Sequence, residues 1–164
     1  MYYETKSMLH KQGFERYEIS NYAKPGYECR HNIGYWTGIE YLGLGLGASS
    51  YIQGFRFHNE SALRHYDKIQ MTGTDADAKL DQEITTLHDT EKMEEFMFLG
   101  LRMIKGVSGS EFFQRFGQNM WNVYGNVLNK LKDEGLIIVE MPDVRLSDYG
   151  IDVSNYVLSE FLLD

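Results

Sequence analysis

Apolar residues recur with helical spacing through most of the second half of the chain, while the first half shows no such regularity. From Asp89, a good N-cap residue, Met93, Phe96, Met97, Leu101 and Ile104 fall on one face of a helix that Gly106 should end. Ser108 with Glu111 has the spacing of a capping box, and Phe112, Phe113 and Phe116 then supply an apolar face before Gly117. A longer helix carries Trp121, Tyr124, Leu128 and Leu131 as far as Gly135. Residues 136–141 and 144–146 read as two strands around Pro142-Asp143, a tight-turn pair. A last helix runs from about Asp148 and turns Val153, Val157, Phe161 and Leu162 inward. Three helices, a two-stranded wing and a closing helix predict a mostly helical, winged-helix-like domain over residues 84–164.

The first half is less regular. Residues 2–12 read as a helix stopped by Gly13, and residues 14–19 as a short strand. A helix followed at once by a strand resembles the interior of an α/β unit, so the chain is expected to be a piece of a longer one. Residues 20–38, with Asn, Pro and Gly and no period, predict a long loop of the functional kind. Residues 41–50 (YLGLGLGASS) read as a glycine-rich strand end, where missing side chains let something approach the backbone. A short helix over 60–70 and a polar linker over 71–83 complete the reading. The expected class is α+β, with one domain over 1–70 and another over 84–164.

Composition narrows the function. A hydrophobic share of 43% with 24% charged residues is that of a globular protein, and 12 Tyr with 9 Phe predict a ring-rich core or pocket. The net charge of −8 repels nucleic acid and anionic lipid, so neither is an expected partner. The presumed recognition helix over 118–134 carries Lys130 and Lys132 beside Asp133 and Glu134, which argues against a winged-helix nucleic-acid binder. Cys29 is the one cysteine, so no internal disulfide can form. Without a membrane-length apolar run or a signal-peptide pattern, the expected location is the cytoplasm.

Three blocks carry a family resemblance: YEISNYAKPGYE at 17–28, RHNxxYW at 30–36 and YLGLGxGAxS at 41–50. In this order they resemble the end of the radical-SAM barrel in the oxygen-independent coproporphyrinogen III oxidase family. Arg56 with Asn59, LGLR at 99–102 and RLSDYGIDVSN at 145–155 agree with that family's C-terminal domain. The HNxxYW version is similar to the family's haem-chaperone branch. The resemblance implies that residues 1–70 are the end of the radical-SAM α/β barrel. It further implies haem or porphyrin as ligand, S-adenosyl-L-methionine (SAM) and a 4Fe–4S cluster as cofactors, and haem-accepting proteins as partners. The cluster needs a CxxxCxxC motif that a chain with Cys29 alone cannot supply, so cluster and radical chemistry are expected of an upstream radical-SAM half, not of this chain. Oxidative decarboxylation of coproporphyrinogen III is the alternative activity within the family.

Residue by residue, the resemblance makes His31 the candidate axial ligand to haem iron, with Asn32, Tyr35 and Trp36 as haem contacts and Tyr27 as a further ring at the porphyrin face. On its own chemistry, without the family block beside it, His31 reads as a loop histidine bonded to backbone in preference to a ligand. Cys29 reads as a small buried hydrophobe in preference to a thiolate ligand. Gly43, Gly45, Gly47 and Ser49 match the strand end that lies against SAM, although Leu46 and Ser49 stand where relatives often have Pro and His. As a dinucleotide fingerprint the glycine run is weak, because no amphipathic helix follows it. The Met93, Phe96 and Met97 face reads as core. His10, His58, His65 and His88 with Cys29 lack metal-ligand spacing. Arg56 and Asn59 either hold a carboxylate or pair at the surface.

Overall fold

Residues 2–64 and 84–163 are described in a computed structural model of the chain. The element order is α1 (Tyr2–Lys11), β1 (Glu15–Arg16), β2 (Tyr22–Ala23), α2 (Arg30–Trp36), β3 (Ser49–Ile52), β4 (Phe55–His58) and β5 (Thr85–Thr86). It continues with α3 (Asp89–Gly100), α4 (Gly109–Phe116), α5 (Met120–Asp133), β6 (Ile137–Glu140), β7 (Asp143–Leu146), α6 (Asp148–Asp152) and α7 (Ser154–Ser159). The predicted linker over 71–83, and most of the helix predicted before it, lie outside the described residues. The elements fall into two compact units, Met1–Gly38 with Asp89–Asp164, and Ile39–His88. The sequence boundary near residue 70 separates α1, β1, β2 and α2 from the C-terminal helices; the compact units group them together.

In the larger unit the helical stripe on α5 organises the core. Met120, Tyr124, Leu128 and Leu131 are all buried, the spacing of one helix face. A run of edge-on rings crosses it, with centroids 5.5 Å apart for Phe96 and Phe112, 6.1 Å for Phe112 and Tyr124, and 5.5 Å for Tyr124 and Phe161. Met93, Met97 and Leu101 from α3 and its following turn pack into the same cluster with Val144, Leu146 and Val157. Burial first, and the charge of Glu94 second, push the Tyr124 hydroxyl above its ordinary titration range.

Caps and turns account for the helix ends. Asn119 Oδ1 accepts from Trp121 N at 2.8 Å, and Ser147 Oγ accepts from Gly150 N at 2.9 Å. Ser108 is the N-cap of α4, but the capping box does not form: its side chain makes no cap bond, and Glu111 pairs with Arg115 one turn on. Gly117 ends α4 in the left-handed region, as expected. The helix expected to reach Gly106 stops at Gly100, because the chain then turns to bond across to residues 17–19. Phe113 is exposed, so only Phe112 and Phe116 serve the core on that helix. The two strands expected around Pro142-Asp143 form an antiparallel pair with Ile137 opposite Leu146 and Glu140 opposite Asp143.

The smaller unit pairs β3 with β4 in an antiparallel hairpin, Ser49 opposite His58 and Ile52 opposite Phe55, and β5 adds to the β4 edge. Its turn uses positive φ at both Gln53 and Gly54.

Candidate functional site

The stretch predicted as a loop over 20–38 contains the short strand β2 and the helix α2. Ile33 N bonds Cys29 O at 3.0 Å to open α2, and Thr37 Oγ1 closes it on Ile33 O at 2.8 Å. Sequence periodicity missed it because seven residues bury none of their number completely and include Gly34. Helical geometry puts residues 31 and 35 on one face and residue 36 well round from 31. His31 and Tyr35 are both exposed, with ring centroids 4.6 Å apart in an edge-on contact. Asn32 is half-buried between these faces. Tyr27 is 83% exposed on the preceding turn. Cys29 is exposed, which corrects the expectation of a buried small hydrophobe.

Trp36 turns the other way. The Arg102 guanidinium covers its ring at 4.3 Å. Arg102 Nη2 lies 3.7 Å from Glu18 Oε2, and Glu18 is completely buried. The other oxygen, Oε1, accepts from Ser20 N and Asn21 Nδ2, both at 2.7 Å. Trp36 therefore does not share the exposed face of His31 and Tyr35. Glu18 and Arg102 are residues that sequence reasoning passed over. The signal was there in a single carboxylate between Tyr17 and Ile19, in a run read as a short strand.

In the smaller unit, the glycine run is folded by its own requirements. A β-carbon on Gly43 would overlap the carbonyl oxygen of Ser49, and Gly45 and Gly47 hold positive φ of 98° and 65°. Gly43 N donates to Ser50 Oγ at 3.0 Å, with Ser50 fully buried. Asn59 Nδ2 donates to Gly43 O at 3.1 Å and Gly45 O at 2.9 Å, so Asn59 is engaged by this loop. The space beside Gly43 is thus filled by the chain itself, whereas Gly45 has no neighbour within 4 Å of where a β-carbon would stand. Ser49 is exposed at the start of β3, and Arg56 reaches over the Tyr51 ring at 5.6 Å.

Among the described residues, no three His, Cys, Asp or Glu side chains gather into a metal site, and His65 lies outside those residues. Among them too, no helix is long and apolar enough to cross a membrane.

Comparison with known proteins extends this picture. A family model described as the HemN C-terminal domain matches residues 87–153. Heme chaperone HemW of Lactococcus lactis subsp. lactis is 35% identical over 164 residues, covering 100% of this chain and 42% of that protein. Heme chaperone HemW of Bacillus subtilis is 38% identical over 163 residues, covering 99% of this chain and 42% of that protein. The chain belongs to the HemN/HemW family of radical SAM proteins. It matches the C-terminal portion of HemN/HemW proteins and spans 42% of the length of these two relatives. The solved structure of coproporphyrinogen III oxidase (HemN) from Escherichia coli, described as a radical SAM enzyme, aligns with a TM-score of 0.70. That alignment covers 98% of this chain and 40% of that one, at 16% identity, and carries the mixed α+β fold alone. The HemN/HemW family implies a 4Fe–4S cluster in its full-length members, but the one cysteine of this chain does not fit the three thiolates that a CxxxCxxC motif supplies.

Proposed function

We propose that this chain is the haem-binding C-terminal part of a HemW-type haem chaperone, acting with an upstream radical-SAM half that holds the cluster. The observation that carries the reading is the face of α2, where an exposed imidazole stands edge-on to an exposed tyrosine ring. The names of the two bacterial relatives that match nearly the whole chain support the same ligand. Neutral imidazole is a good ligand for haem iron, and one such side chain with an adjacent ring is enough for a haem on a surface face. His31 supplies the nitrogen, Tyr35 limits the rotation of the His31 ring, and Tyr27 offers a further aromatic edge. Asn32 lies next to the ligand as a hydrogen-bonding side chain within reach of a polar substituent. Bound haem would supply the cargo, and delivery to an acceptor protein in the cytoplasm completes the role.

In the same reading, residues 1–70 continue the radical-SAM barrel and residues 84–164 form a winged-helix-like domain joined to it by residues 71–83. Gly45, Gly47 and Ser49 present backbone and a hydroxyl to SAM, while Gly43 serves the loop that presents them. The alternative within the family, decarboxylation of coproporphyrinogen III, belongs to the name of the Escherichia coli protein, whose likeness at 16% identity carries the fold alone. A haem titration followed at the Soret band tests the proposal. Saturable binding at one haem per chain is expected, and a featureless, non-saturating absorbance rise refutes it.

A further inference from the structure

We propose that Glu18 and Arg102 are positioning residues for His31, acting through Trp36. The inference rests on the haem-ligand reading of His31 and adds how that ligand is held.

A seven-residue helix does not stabilise itself in water, so the orientation of α2 must come from outside it. Its N-terminal end gives little: Cys29 makes no side-chain cap bond, and no residue of α2 is fully buried. Its C-terminal end is tied twice. Arg115 Nη2 donates to Thr37 O at 3.1 Å, and the Arg102 guanidinium covers the Trp36 ring. Arg102 is itself fixed. Its carbonyl accepts from Ile19 N at 3.0 Å, Ile104 N donates to Tyr17 O at 3.1 Å, and its guanidinium faces the buried Glu18 carboxylate. Three sequence blocks that periodicity treats separately thus meet at one point: Glu18 and Asn21 from 17–28, Trp36 from 30–36 and Arg102 from 99–102.

The chemistry is not what stability alone would select. A buried carboxylate facing a guanidinium is commonly no better than a well-packed apolar pair, and its use is to fix geometry. Glu18 Oε2, Arg102 Nε and Trp36 Nε1 are buried and make no hydrogen bond to the described residues, so charge and stacking hold the cluster. Both select a planar cation at one place and angle. Fixing Trp36 sets the rotation of α2 about its axis, and with it the direction in which His31 and Tyr35 face.

The test uses the 164-residue chain carrying Trp121→Phe, which leaves Trp36 as the one indole. Arg102→Ala, Arg102→Lys and Glu18→Gln are compared with the Glu18→Gln/Arg102→Gln pair, which leaves no unpaired buried charge and so keeps the fold. All are expected to shift Trp36 emission, to weaken haem binding about tenfold or more, and to change the axial-ligand bands in resonance Raman. Arg102→Lys keeps the charge without the planar stack and is not expected to restore the spectrum. Shifted Trp36 emission with unchanged haem affinity and ligand bands overturns the inference. If the parent chain binds no haem, the haem reading fails by itself. The positioning claim is then judged on the His31 ring signals by NMR: altered signals in the double variant support it, and unaltered signals overturn it.

Discussion

Replacing Gly150 by alanine puts a methyl group where α6 meets the start of β6, and the outcome follows from what surrounds it. A β-carbon there would overlap the Leu136 carbonyl oxygen and stand 2.9 Å from its carbon and 3.3 Å from its Cα. Leu136 cannot retreat freely. Its oxygen accepts from Ser147 N at 3.0 Å and its N donates to Leu131 O at 2.9 Å. Gly150 cannot move either, because its own N–H holds the Ser147 cap. Overpacking of this kind costs about 1–3 kcal/mol, and backbone on both sides puts the cost at the upper end. The better helix propensity of alanine offsets about 1 kcal/mol. A net loss of about 2 kcal/mol lowers Tm by about 4–8 °C in a chain of this size. Gly125→Ala provides the internal contrast: it lies within α5, nothing stands within 4 Å of the new carbon, and its φ needs no glycine. The same substitution there is expected to stabilise by about 0.5–1 kcal/mol. Thermal unfolding by circular dichroism reads both. Equal shifts, or a Gly150→Ala chain as stable as the parent, would refute the packing argument.

Leu128→Ala removes a fully buried side chain from the α5 stripe and should cost about 2–5 kcal/mol in urea unfolding. Asn119→Ala loses the cap on Trp121 N and should cost about 1 kcal/mol in the same assay. The hydrogen bond and charge of Lys6 hold the Asp148 carboxyl below its ordinary 3.8. That contribution is present above the unfolded value and is lost as pH falls through the lower folded one. Because the carboxyl is 77% exposed it amounts to less than about 1 kcal/mol, and Lys6→Met should lower stability near neutrality by that amount, leave it unchanged at low pH and so flatten the acid limb of a stability–pH curve. Fluorescence anisotropy at low salt should give no saturable DNA binding, since the net charge is −8 and Lys130 on α5 is paired with Glu160 at 2.6 Å.

The parts of the molecule legible in the sequence are those where side-chain period alone decides the outcome. The stripe of Tyr124, Leu128 and Leu131, the turn at Pro142-Asp143 and the glycine stop at Gly117 depend on neighbours close in sequence. The α2 helix was illegible for the opposite reason: its hold comes from Arg102 and Arg115, more than sixty residues away. The capping box failed because Glu111 had a competing partner at i+4 in Arg115. In the candidate site, HNxxYW marked out a segment but could not say which of its rings share a face. Only the helical geometry separates Tyr35, beside His31, from Trp36, beneath Arg102. Likewise, glycines read as openings for a ligand divide into Gly43, closed by Ser49, and Gly45, which stays open.

The most direct test of the central claim is the ligation state of haem bound to three versions of this chain: the parent, His31→Ala and Cys29→Ala, each titrated by absorbance and examined by resonance Raman. Imidazole ligation predicts that His31→Ala weakens binding about tenfold or more and removes the histidine-ligated spectrum, while Cys29→Ala leaves both as in the parent. An unchanged affinity and spectrum in His31→Ala, or loss of the spectrum in Cys29→Ala, would contradict the assignment of His31 as the ligand.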